Sequence, residues 1–91
     1  MYATLKAKPG REEFLAKECL RLAKMVRENE KDCLVYFPCV SIDDSSVIVF
    51  VEKYTDSAAF DYHRQTPYIK EFRERVEDAL AEPTRIDRFD D

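Results

Sequence analysis

The 91-residue chain has one glycine, one histidine and no tryptophan. A single glycine among 45% hydrophobic and 37% charged residues describes a globular, helix-tolerant chain rather than a disordered one. Cationic excess is missing too. Against 15 Lys and Arg stand 19 Asp and Glu, a net charge of −4, and the two signs are interspersed. Nucleic-acid binding needs a clustered basic face, so it is not expected. No apolar run approaches the ~20 residues of a membrane helix, and the opening MYATLKAKPGR has no signal-peptide core. The expected setting is therefore the cytoplasm, with no membrane contact, and residues 1–91 are expected to form one domain.

Cysteine pairing and metal ligation are also poorly provided for. The three cysteines are an odd number and fit reduced thiols. Cys33 and Cys39 have the same parity on a predicted strand, but six extended residues hold them roughly 20 Å apart, too far to bridge. Neither a CxxC nor a Cys/His ligand spacing occurs, so no metal is expected and Cys19, Cys33 and Cys39 are read as packing.

What the chain does have is hydrophobic periodicity. Tyr2 to Lys8 sets Tyr/Thr/Lys against Ala/Leu/Ala, a strand with unequal faces closed by Pro9-Gly10. Leu15, Cys19, Leu22 and Val26 then recur at helical spacing, widened by Phe14 and Met25, with Glu12 and Glu13 in the dipole-complementing first turn. This helix is expected to run to about Asn29. Glu30 to Asp32 read as a polar break before a second strand, Cys33 to Phe37, which Pro38 places near an edge or a bulge.

Asp43 to Ser46 make a turn into Val47–Val51, five apolar residues of which four are β-branched. Alternation puts Ile48, Phe50, Glu52 and Tyr54 on one face of this third strand and Val47, Val49, Val51 and Lys53 on the other. Asp56 is the predicted N-cap of a short helix, Ser57 to Gln65, carrying Phe60 and His63. Thr66-Pro67 starts another, striped by Ile69, Phe72, Val76, Ala79 and Leu80 until Pro83 stops it. A fourth strand is expected over Thr84 to Phe89.

The order βαββαβ predicts an α+β, ferredoxin-like antiparallel sheet with helices on one face. One helix layer leaves the valine face bare. A homodimer through the sheet face is therefore expected, because a monomer would expose that apolar patch.

Four segments in order carry a family likeness over nearly the whole length: KPGREEFL, the Cys-Leu-x-Tyr of Cys33 to Tyr36, VIVFVEKYTDSAAFDYHRQTPY, and EPTRIDRF. Through them the chain resembles the antibiotic biosynthesis monooxygenase (ABM) domain family, quinol monooxygenases among them. It departs from the family at Tyr54, often a tryptophan, at Tyr68, often a histidine, and at Asp32, usually a glycine. The resemblance implies a dimeric α+β barrel with a pocket between sheet and helices in each subunit. It further implies oxygen insertion into a small aromatic ligand (quinol, phenol or anthrone type) by molecular oxygen, with no cofactor.

Placed on this chain, such chemistry makes His63 the group that removes a phenolic proton, with Glu52 orienting it or acting itself. Tyr36, Tyr54 and Tyr68 would hold substrate oxygens, and Phe50, Phe60 and Phe72 would supply apolar walls. Read from residue type alone, a lone histidine on a short helix fits a structural hydrogen bond equally well, Glu52 a strand-end ion pair, and the aromatics a core or dimer interface. Two other functions stand beside the monooxygenase. One is a non-catalytic or isomerase-like small-molecule-binding dimer of the same fold. The other, haem degradation, is disfavoured because those relatives use an Asn, a Trp and a His, whereas this chain lacks Trp and Asn29 ends the first helix.

Overall fold

The computed structural model describes residues 1–89. Its elements are β1 (Tyr2–Lys6), α1 (Glu12–Asn29), β2 (Cys33–Val40), β3 (Val47–Tyr54), α2 (Ser57–Arg64), α3 (Pro67–Val76) and β4 (Arg85–Asp87). The strands form one antiparallel sheet in the order β2-β3-β1-β4. With the helices on one face, this is the ferredoxin-like α+β arrangement expected from the chain order.

The periodicities become the core directly. Leu15, Cys19, Leu22, Ala23 and Val26 of α1 are buried against Ala3 and Leu5 of β1, Ile48 and Phe50 of β3, and Ile69, Phe72 and Val76 of α3. Alternation in β3 is the expected one. Ile48, Phe50 and Glu52 are buried beneath the helices, while Val47, Val49 and Val51 stay half-exposed on the opposite face.

Local signals set the boundaries. Pro9-Gly10 turns the chain with Gly10 at φ 84°, a left-handed conformation that a side chain would strain. The Asp56 carboxylate accepts the Ala59 amide at 2.8 Å and so caps α2. Thr66 caps α3 and Pro67 occupies its first turn, where the missing N–H leaves no helical bond unmade.

Several local expectations change. The last helix stops at Val76, and Glu77–Ala79 tightens into a 3₁₀ turn, so that Leu80 forms a bridge with Ala7 instead of continuing the stripe. Met25 lies on the exposed side of α1. Glu30, read as part of a polar break, is only 6% exposed.

The shared parity of Cys33 and Cys39 also fails. A bulge between Cys33 and Val35 pairs Cys33 with Tyr54 on the helix side and Cys39 with Val49 on the open side. One extra residue in a strand reverses the facing of everything before it.

Leu15, near the start of α1, is fully buried and does not line the cavity described below. Leu15→Ala should lower the unfolding free energy by about 2–5 kcal/mol, the cost of lost burial plus the cavity left behind. Equilibrium urea unfolding measures it, and a loss below ~1 kcal/mol would mean that the α1 stripe is not the packed core.

Candidate active site

The centre of the helix-side sheet face is aromatic, and its members touch in series. Phe72 stands edge-on to Phe50, with ring centroids 6.4 Å apart, and Phe50 lies 4.9 Å from Tyr36. Tyr36 is 5.1 Å from the His63 ring, His63 is 5.6 Å from Tyr54, and Tyr54 is 5.4 Å from Phe60. The sheet supplies Tyr36, Phe50 and Tyr54 because Tyr36 pairs with Glu52 in register and Phe50 is two residues before it. The helices supply the rest.

His63 ends up beneath α2 because the capped helix is only eight residues long and the Thr66 hydroxyl, donating to the His63 carbonyl at 2.9 Å, ties its last turn to the start of α3. The ring is 4% exposed. Its Nδ1 faces both carboxylate oxygens of Glu30, at 3.1 and 3.0 Å, and the Tyr68 hydroxyl donates to the same carboxylate. A carboxylate accepts, so Nδ1 donates to it, and in the neutral imidazole the lone pair is then on Nε2. Among the described residues Nε2 has no hydrogen-bond partner.

A second buried carboxylate lies close by. Glu52, 5% exposed, accepts from the Tyr54 hydroxyl at 2.6 Å. Burial raises the Glu52 carboxyl above the ordinary value, against smaller opposing effects of the Tyr54 hydrogen bond and of His63. The surrounding hydroxyls and thiols stay protonated. Burial pushes the Tyr36, Tyr54 and Tyr68 phenols up, and pushes Cys33 and Cys19 to about 12.

A cavity of about 450 Å³ opens beside these groups, between the sheet and α2–α3. Of the residues singled out from sequence, His63, Glu52, Tyr36, Phe50, Phe60 and Phe72 all line it. Tyr54 and Tyr68 do not. Tyr54 gives its hydroxyl to Glu52 and Tyr68 gives its own to Glu30, so both hold carboxylates beside the cavity.

Two sets of residues escaped the sequence reading. Glu30 is one, although it follows Val26 by four and so continues the α1 stripe, a signal hidden by the charged run around it. The other is a trio of arginines, Arg64, Arg73 and Arg88, which line the cavity from α2, α3 and the segment after β4. They were indistinguishable from ordinary surface charge.

The raised Glu52 carboxyl has a consequence for stability. The folded state binds this proton more tightly than the unfolded one, so the group's contribution is full below its ordinary 4.5 and falls as pH climbs through the raised folded value. Glu52→Gln, which can still accept from Tyr54, should lose less stability than the wild type between pH 4.5 and neutrality. Urea unfolding across that range gives the comparison, and parallel profiles would show that burial does not act on Glu52.

Known proteins share this architecture. A candidate antibiotic biosynthesis monooxygenase from Caulobacter crescentus superposes with a TM-score of 0.87 at 31% identity, over 92% of this chain and 79% of that one. A Pseudomonas aeruginosa protein gives 0.87 at 31% identity, over 94% and 85%. In sequence, an uncharacterized Synechocystis protein is 36% identical over 86 residues, 90% of this chain. The chain spans about half of that relative's length, 55%. Among the described residues no helix is long and apolar enough to cross a membrane. The family model for antibiotic biosynthesis monooxygenases matches residues 1–75, and with the fold and the ordered segments in agreement, this chain belongs to that family.

Proposed function

We propose that the chain is a cofactor-independent monooxygenase whose substrate, a small quinol, phenol or anthrone, lies in the cavity between sheet and helices. The observation that carries this reading is the histidine. His63 lines an aromatic cavity while its Nδ1 is held by a buried carboxylate, which leaves Nε2 as a base with a fixed orientation.

In this mechanism Nε2 takes the acidic proton of the bound phenol or anthrone. The resulting electron-rich anion passes one electron to O₂, and recombination of the two radicals forms the carbon–oxygen bond. For an anthrone the hydroperoxide then loses water, so that a CH₂ and O₂ give a C=O and H₂O. Glu30 is the positioning residue for His63, and Tyr68 fixes Glu30. Glu52, held toward its protonated form by burial, donates a hydrogen bond to a substrate oxygen. Phe50, Phe60 and Phe72 hold the ring plane.

The same reading includes a homodimer through the open sheet face. Val47, Val49 and Val51 lie there, with Phe37 and Tyr2 exposed at 42% and 43%. Burying this patch against a second copy removes apolar area that water otherwise faces.

Oxygen uptake with dithranol as the anthrone tests the chemistry. His63→Ala should lower the rate by about 10²–10⁴-fold, the usual worth of a positioned general base. Glu30→Gln should lower it less and shift the imidazole tautomers seen by ¹⁵N NMR. Activity unchanged by His63→Ala would remove that residue from the mechanism, and dithranol binding with no oxygen uptake would leave a binding protein instead. For assembly, sedimentation equilibrium at micromolar concentration should find a dimer that Val49→Lys dissociates; a wild-type monomer would exclude the pairing.

A further inference from the structure

Four of the eight arginines are engaged by oxygen acceptors, and a fifth, Arg11, lies over the Phe14 ring with its guanidinium carbon 4.7 Å from the centroid. Arg21, Arg75 and Arg85 pair with carboxylates, and Arg27 donates to the Tyr36 carbonyl. The remaining three, Arg64, Arg73 and Arg88, have no acceptor among the described residues, and all three line the cavity that holds His63 and Glu52. Each is solvent-exposed, so together they border its opening, whereas Glu52 and His63 are buried deeper inside. In a chain of net charge −4 this local excess of positive charge runs against the overall balance.

Two of the three are also held in place. The Arg64 guanidinium carbon lies 5.6 Å from the Phe60 ring centroid and that of Arg88 lies 5.3 Å from the same ring. A cation held over a ring commits none of its N–H groups to a carboxylate, so the guanidinium fork remains available to one. Phe60 therefore does two things. It walls the cavity and anchors two cations at its rim.

The geometry points to an aromatic acid as the substrate: a planar ring whose hydroxyl reaches His63 and Glu52 at the inner end and whose carboxylate is taken by Arg64, Arg73 and Arg88 at the mouth. This rests on the cavity being the aromatic site proposed above. It adds the charge and the orientation of the molecule that enters, which place the reacting end inward.

Isothermal titration with 2-naphthol and 6-hydroxy-2-naphthoate, the same ring without and with a carboxylate opposite the hydroxyl, separates the two ideas. The acid should bind about 10-fold tighter at low salt, as expected for a few partly exposed ion pairs, with an advantage that shrinks as salt is added. The triple variant Arg64→Gln, Arg73→Gln, Arg88→Gln should abolish that advantage, so that the acid binds no tighter than 2-naphthol. Lys8→Gln, Lys17→Gln, Lys70→Gln, which removes the same charge away from the cavity, should preserve it. Equal affinities in the wild type, or an advantage that survives in the arginine variant, would overturn the aromatic acid while leaving an aromatic site in place. Binding of neither probe would remove that site and the inference with it.

Discussion

A carboxylate taken out of water must be met by donors, and much of this structure follows from how Glu30 is met. Desolvating an ion costs several kcal/mol unless hydrogen bonds replace the lost water. Here the replacements come from His63 on α2 and Tyr68 on α3, while Glu30 itself ends α1. One side chain thus ties all three helices together over the sheet. It also selects the imidazole tautomer, so that the interaction organising the helix layer is the one that leaves the Nε2 lone pair free.

Around this pair the cavity is graded from inside to outside. His63 and Glu52 lie at the buried end, Phe50, Phe60 and Phe72 form the walls, and Arg64, Arg73 and Arg88 border the opening. The grading reflects dielectric as much as composition. At the inner end, burial biases Glu52 toward its neutral form. Full guanidinium charges are best left where water can reach them.

Strand β3 is the divider on which both sides depend. Its even-numbered residues Ile48, Phe50 and Glu52 face the helices and its valines face away, a separation legible from alternation because a strand in the centre of a sheet has no freedom to slip. The α1 stripe, the Asp56 cap and the Thr66-Pro67 restart were legible for similar reasons. Each is decided by residues within four positions of one another. Less could be read at the second strand, where the bulge beside Leu34 turns Cys33 inward. Whether a strand bulges depends on its partner's register, and no residue in β2 announces it.

The sequence by itself determined the order of elements, the faces of β1 and β3, and a short list of polar and aromatic residues on the inward side, because periodicity and turn chemistry are local. Only the tertiary structure decided which of these meet. It assigned Tyr54 and Tyr68 to carboxylates rather than to the cavity, brought Glu30 33 positions across the chain to His63, and gathered three surface arginines around one opening. Such contacts join residues distant in the chain, and their partners are chosen by desolvation and packing once the helices have docked. For that reason His63 was visible in the sequence, while the carboxylate that holds it emerged only from the fold.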